Sequence, residues 1–426
     1  MDSKISSHPL STESAALPQS IRRDQWFVLA AAFLGWMFDG LEMGIFPLVA
    51  RPALQDLLHI TDDALVGQWN ARIVALFLIG AACGGLLFGW LGDKVGRVRA
   101  MVISILTYSI FSGLCYFATE PWHLGALRFI SALGMGGEWS LGVALVMECW
   151  PAKHRPILAG AIGAASNVGF TLIAVLGRFI PVTQHSWRWV MVAGAAPAFL
   201  GFLISLCVPE SKRWKQSVQE QESKPLTEIW RLGLTGTTLL AIAFASIALI
   251  GTWGSVQWLP LWADKLTGGT VPAAKANTQM LSGVGAIIGC FVAPWVGGRF
   301  GRRPTFFALC LLSLLACGYL FRGVHEYGST FLWMSFLVGG VTAAFYGWFP
   351  LYLPELFPTR VRATGQGISY NFGRILAAVG ALQMGALMTH YHGSYAKAGA
   401  AITLIYAVGL VLIWFAPETR GRPLPD

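Results

Sequence analysis

Charge is what this sequence has least of. Asp, Glu, Lys and Arg make up 12% of its 426 residues, about half of the roughly 25% found in ordinary soluble proteins. With 55% hydrophobic residues, that shortage excludes the two or three soluble domains the length alone would suggest. Long polar stretches are scarce too. Between the tails only one extended polar segment occurs, PESKRWKQSVQEQESKPLTEIWR, from Pro209 to Arg231. GxxxxGK[ST], HExxH and G-x-S-x-G are all missing, which removes nucleotide-, zinc- and serine-based enzymes from consideration. CxxC is missing as well. The seven cysteines (83, 115, 149, 207, 290, 310 and 317) lie in or at the ends of apolar runs, so packing is expected of them, not disulfides or metal ligation. No catalytic residue, metal or cofactor is expected. Residues 1–25 lack a basic start leading straight into an apolar core, so a disordered tail is expected there and not a cleavable signal.

What fills the chain instead is apolar runs of membrane-spanning length, about 20 residues each. Twelve candidates begin near positions 26, 70, 100, 122, 157, 188, 234, 278, 304, 329, 364 and 397. The fold class is therefore an all-α membrane protein with twelve transmembrane helices. They are expected in two pseudo-symmetric halves of six, 26–208 and 234–417. A cytoplasmic linker over 209–233 would join them, between tails at 1–25 and 418–426. The net charge of +9 does not call for nucleic acid. Of 30 Lys and Arg residues, 20 fall in the tails and in alternate loops, such as Lys94, Arg97, Arg99, Arg302, Arg303, Arg360 and Arg362. This is the positive-inside pattern. It places a multi-pass protein in the plasma (cytoplasmic) membrane, with both termini cytoplasmic, the bilayer as its surroundings and a monomer as its expected state.

Two basic turns mark a duplication. GWLGDKVGRVR (Gly89–Arg99) is followed about 205 residues later by PWVGGRFGRRP (Pro294–Pro304), with Gly297, Gly301 and Arg302 in register with Gly92, Gly96 and Arg97. Gly298 stands where the first copy has Asp93. A second pair of repeats carries acids: Glu148 and Arg155 are seven apart, Glu355 and Arg362 likewise, each 207 residues from its counterpart. Positive-inside loops account for the arginines but not for repeated acids.

A few charges lie inside the spans, where each costs about 3 kcal/mol unless it faces a polar cavity or is neutralised. In the first span FDGLEMG holds Asp39 and Glu42, three residues apart and on one face of a helix. At 1.5 Å per residue they sit roughly 20 and 24 Å above the cytoplasmic boundary, the depth that Arg128 of the fourth span also reaches. The alternative for Asp39 is a cap on a helix break at Gly40. Glu138, in GGEW, lies nearer the cytoplasmic side. In the eleventh span YNFGR puts Arg374 about 15 Å deep, at the midplane. Tyr370 and Asn371 lie four and three residues before it, on or near the same face. Asn167, Gln257, Trp36 and Trp253 are further deep polar or aromatic positions, the last two as candidate cavity walls. Trp122, Trp258 and Trp262 fit an aromatic belt at span ends.

GWLGDKVGRVR resembles the signature loop of the major facilitator superfamily, G-x-L-a-D-r-x-G-r-[RK]. RFISALGMGGEW looks like that family's fourth-helix arginine motif, with the spacing one residue longer. FDGLEMG, GGEW and YNFGR resemble its carboxylate–proton symporters, nearest the sialate/monocarboxylate and aromatic-acid branches. Glu42 stands for the second Asp of their D-G-x-D. The resemblance implies a symporter that takes up a small organic carboxylate by alternating access, with a proton gradient as its energy source. It implies proton coupling at Asp39, Glu42, Arg128 and Glu138. It also implies substrate contacts from Arg374, Asn371, Tyr370, Gln257, Trp253, Trp36 and Asn167. Asp93, Arg97, Glu148, Arg155, Arg302, Glu355 and Arg362 would form a cytoplasmic gate, built of exposed pairs worth about 0 to 1 kcal/mol each. One rival is a symporter of neutral sugars or polyols, since PESKRW resembles a sugar-porter motif. Another is proton-driven drug extrusion, and a third is a non-transporting membrane sensor. Arg374 weighs against the first two, and acids at matched depth with an arginine weigh against the last.

Overall fold

The computed structural model describes residues 23–59, 63–179, 184–220, 225–267, 271, 274–392 and 394–425. Residues 1–22 of the expected N-terminal tail lie outside the described residues. The regular elements among the described residues are all helices, as lipid requires of an open chain that must close its own backbone hydrogen bonds.

The first half contains α1 (Arg23–Leu58), α2 (Asp63–Val95), α3 (Arg97–Leu114), α4 (Pro121–Cys149) and α5 (Arg155–Phe179). Its sixth apolar stretch comes in two pieces, α6 (Trp187–Ala193) and α7 (Pro197–Cys207), with Pro197 restarting the helix at its first turn. The polar segment folds into α8 (Lys212–Glu220) and α9 (Pro225–Arg231). The second half follows with α10 (Thr235–Gly254), α11 (Leu259–Leu266), α12 (Ala274–Phe300), α13 (Arg302–Gly323), α14 (Ser329–Tyr352), α15 (Arg362–His390), α16 (Tyr395–Ile402) and α17 (Ile405–Leu412).

Eleven stretches among the described residues are long and apolar enough to cross a membrane. The twelfth span is α15. Its 29 residues suffice in length, and it carries Gln366, Asn371 and Arg374. α1 runs unbroken through Gly40, so Asp39 caps no helix break.

The two basic turns are built alike. Gly96 and Gly301 join α2 to α3 and α12 to α13 with φ of 113° and 111°, a region that only glycine enters without strain. The following arginine folds back in each copy: Arg97 Nη1 donates to Gly92 O at 2.8 Å and Arg302 Nη1 to Gly297 O at 2.8 Å. Across the molecule, α2 lies against α15 and α5 against α12, and these two seams join the halves. One aromatic expectation is corrected: Trp262 is buried, stacked 5.5 Å from Phe321, and so does not belong to a belt. Trp122 is exposed.

A central cavity and its charged neighbours

A cavity of about 120 Å³ opens between the halves. α1 lends it Trp36, α5 Asn167 and α10 Trp253, while Gln257 comes from the turn after α10. α15 contributes Tyr370 and Arg374. Six of the seven expected substrate contacts therefore share one wall system. Arg374 is half-buried and makes no ion pair among the described residues. Its Nη1 donates to Asn371 Oδ1 at 3.3 Å, and its guanidinium lies 5.1 Å from the Tyr370 ring and 6.0 Å from that of Trp36. A smaller apolar cavity of about 50 Å³ shares Trp36, Trp253 and Arg374 and adds Asp39. One guanidinium thus faces both spaces.

Asn371 is the seventh expected contact, and its placement differs. It is 1% exposed and lines neither cavity. Its amide donates to Gly367 O at 2.9 Å and to Gly136 O of α4 at 3.4 Å. A helix face three residues wide holds both Arg374 and Asn371, but α2 and α4 lie over one edge of it and cover the amide. Two further wall residues emerge, Trp139 and Tyr346. Trp139 stacks on Tyr370 with centroids 4.4 Å apart and planes 19° apart. The GGEW motif contained this tryptophan, but only contact across the halves shows it facing the cavity.

The acids of α1 and α4 form a buried group behind that wall. Glu42 accepts from Ser112 Oγ at 2.5 Å and pairs with Arg128, whose guanidinium also lies 5.0 and 4.8 Å from the Phe46 and Phe77 rings. Asp39 and Glu138 are 0% and 1% exposed, and none of their four carboxylate oxygens has a hydrogen-bond partner among the described residues. The Glu138 carboxylate lies against Gly35, one turn before Asp39, where a Cβ would collide with it. Leaving polar atoms dry and unpartnered is costly, so the arrangement is a place for neutralised acids or transient partners.

On the side of the basic turns the expected gate is a closed network. Arg97 pairs with Asp93 at 2.8 Å and Glu148 at 3.1 Å. Arg362, from the start of α15, pairs with the same Glu148 oxygen at 3.0 Å. The Asp93 carboxylate also accepts from the backbone N–H groups of Ala363 and Thr364 at 3.3 and 2.7 Å, the anion-at-helix-start arrangement that aligned peptide dipoles favour. In the second copy Arg302 pairs with Glu355 at 2.6 Å.

Two expectations are corrected. The charges are buried, with Asp93, Arg97 and Arg362 at 0% exposure, so the exposed-pair energies do not apply to them; only Lys94 and Arg99 of the first turn reach solvent. The side chain of Arg155, the sequence counterpart of Arg362, makes no hydrogen bond or ion pair to a described residue. Glu355 is within its electrostatic reach, but Arg302 already occupies that carboxylate.

A third repeat completes the network. Glu210 accepts from the N–H groups of Arg97 and Val98, both at 3.0 Å, and Glu418 accepts from those of Arg302 and Arg303 at 2.9 and 3.0 Å. Ser211 Oγ donates to Glu148 at 2.5 Å and Thr419 Oγ1 to Glu355 at 2.6 Å. The sequence signal for it is PES at 209–211, repeated as PET at 417–419. Burial raises the Glu418 carboxyl, but the N–H bonds from Arg302, Arg303 and Arg420 outweigh it and hold the group below the ordinary carboxylate range.

Comparison with known proteins agrees with this architecture. The profile of the Major Facilitator Superfamily matches residues 25–381. A "probable 4-methylmuconolactone transporter" of Cupriavidus pinatubonensis is 28% identical over 398 residues, covering 92% of this chain and 90% of its own. The sialic acid transporter NanX of Escherichia coli is 26% identical over 393 residues, covering 90% and 92%. Among solved structures, the proton:xylose symporter XylE superposes with a TM-score of 0.76 at 18% identity, over 94% of this chain and 97% of that one. With its paired basic turns, its two helical halves and a matching profile over most of its length, the chain belongs to the Major Facilitator Superfamily and is a multi-pass membrane transporter, not an enzyme.

Proposed function

We propose that this transporter takes up a small organic carboxylate together with protons, across the plasma membrane, with both termini in the cytoplasm. The observation that carries the reading is Arg374, a guanidinium on a cavity wall without an acid bonded to it among the described residues, in a span whose residue count sets it near mid-membrane depth. An anion of the solute supplies the missing partner in bidentate form. A neutral sugar would leave that charge bare. The wall is rich in aromatic rings, Trp36, Trp139, Trp253 and Tyr370 among them, and these suit the apolar face of the solute. Asn167 and Gln257 offer amides to its polar groups. Relatives named for sialic acid and 4-methylmuconolactone support an acid or a compact oxygenated ring.

Proton coupling falls to the acids behind the wall. Protonating Glu42 would break its pair with Arg128 and its bond from Ser112. Protonating Asp39 or Glu138 breaks no bond to a described residue. We therefore give the proton to Asp39 and Glu138, while Glu42 and Arg128 hold α1 against α4. The buried network at the basic turns closes that end of the cavity, so solute enters from the opposite side, and rocking of the halves carries it through. Each net positive charge moved inward gains about 2.3 kcal/mol per 100 mV.

The test is transport in proteoliposomes with an imposed pH gradient, using a panel of carboxylates beside matched neutral sugars. Wild type should accumulate one or more acids. Arg374→Ala should abolish binding and uptake of that acid, and Glu138→Gln should keep solute exchange while losing uphill accumulation. Uptake of a neutral sugar that is insensitive to Arg374→Ala would favour the sugar symporter instead, and no flux of any solute would favour a sensor.

A further inference from the structure

The motif YNFGR of α15 meets the motif GGEW of α4 at two adjacent points, and the points lie on either side of Glu138. Tyr370 stacks on Trp139, one residue after the acid. Asn371 donates its amide to the carbonyl of Gly136, two residues before it. The other end of the same Asn371 amide accepts from Arg374. A single side chain in the second half therefore touches both the guanidinium at the cavity and the backbone that carries a buried acid in the first half. Its surroundings are close-packed: a Cβ on Gly85 of α2 would fall on the Asn371 amide, so this side chain has no space to swing without moving a helix.

We propose that Asn371 is the positioning residue that links solute occupancy at Arg374 to the protonation of Glu138, and that it is not itself a solute ligand. This rests on the reading of Arg374 as the carboxylate site. When a carboxylate draws the guanidinium toward the cavity, the Arg374 bond to Asn371 Oδ1 is pulled with it. Because the amide has no space to turn alone, the pull passes through its bond to Gly136 O and shifts α4 against α15. Gly136 and Gly137 pack directly on Ala81, Gly85 and Phe88 of α2, so a shift of these helices moves the backbone that carries Glu138. Two ionisable groups lie within electrostatic reach of Glu138, Asp39 from α1 and Tyr108 from α3, and Asp39 in turn feels Arg374 from α15 and Glu42, the partner of Arg128. None of these bonds to the acid among the described residues. Backbone placement is therefore what decides which of them Glu138 meets.

The experiment measures binding of the transported acid to purified protein by calorimetry at several pH values between 5.5 and 8.5 (values chosen for the assay, about one and a half units either side of neutrality). Wild type should show affinity changing about tenfold or more across that range, with proton uptake on binding. Asn371→Leu, which keeps the size but removes both polar ends, should bind the acid within about threefold of wild type at one pH. Its affinity should vary less than about twofold across the range, and its uptake should no longer run uphill. Gly85→Ala, which presses on the same amide from α2, should flatten the profile in the same direction and serves if the leucine variant does not fold. A leucine or Gly85→Ala variant that binds with the full wild-type pH dependence overturns the proposal. A loss of binding as complete as that of Arg374→Ala overturns it too, because Asn371 would then be a ligand. If wild type itself binds the acid with no pH dependence, the proton-coupled reading fails together with this one. If Arg374→Ala binds normally, the carboxylate site fails first.

Discussion

The two charge clusters at the basic turns come from one repeated pattern and do different jobs. In the first, Glu148 serves an arginine from each half, Arg97 and Arg362, and Asp93 accepts two N–H groups from the start of α15. In the second, Glu355 serves Arg302 and Thr419, both from its own half. Gly298 offers no carboxylate to the other side, and the Arg155 side chain stands buried without a bond to a described residue. Turn geometry survived duplication in both copies, down to the left-handed glycine and the arginine that folds back on it. Among the described residues, the ion pair that crosses between the halves is present in one of the two clusters only. On the proposed reading of these clusters as a gate, the first is a lock between the halves and the second an internal clip, so that the first alone would control opening.

Three substitutions would break or sharpen that contrast. The largest effect is expected from Glu148→Ala, which leaves Arg97 and Arg362 facing each other without their shared acid; removing one partner of a buried pair costs about 3–5 kcal/mol. A cysteine placed at the gated end of the cavity should then react much faster with a thiol reagent, and thermal stability should fall. Glu355→Ala should cost less, about 1.5–3 kcal/mol, because it disturbs bonds within one half. It should lower thermal stability while leaving that labelling rate near wild type. Equal labelling in the two variants would erase the distinction between lock and clip.

The smallest effect belongs to Glu418→Gln, where the partners are backbone N–H groups and the side chain is partly exposed. Because the folded Glu418 carboxyl titrates below its ordinary value near 4.3, its contribution is fully present above that value and is lost as pH falls through the lower folded one. The difference in melting temperature between wild type and Glu418→Gln should thus be the same at pH 6 and pH 8 and should shrink only in acid. A difference that changes between those two pH values would mean the carboxyl is not held low.

Arg128 and Glu42 illustrate what could be read in advance. Counting 1.5 Å per residue from opposite ends of two spans put them at one depth, and the folded chain pairs them. Arg374 could be placed at the midplane by the same arithmetic. What counting could not supply was rotation. Asn371 sits three residues from Arg374 and shares a helix face with it, but α2 and α4 cover its amide while Arg374 looks into open space. The burial of the gate was missed for a related reason. Charged residues in a turn read as solvent-facing until a second half folds down on them.

Hydropathy runs, charge placement and motif spacing were enough for the class of protein, its span starts to within about five residues and its duplicated plan, since these follow from lipid thickness and from local helix geometry. Which acid finds an arginine, which is left without a donor, and which side chain bridges the cavity to the acids were decided by contacts between helices far apart in the chain. Lipid sorts residues by depth and polarity alone; only close packing of neighbouring helices decides the direction in which each one points.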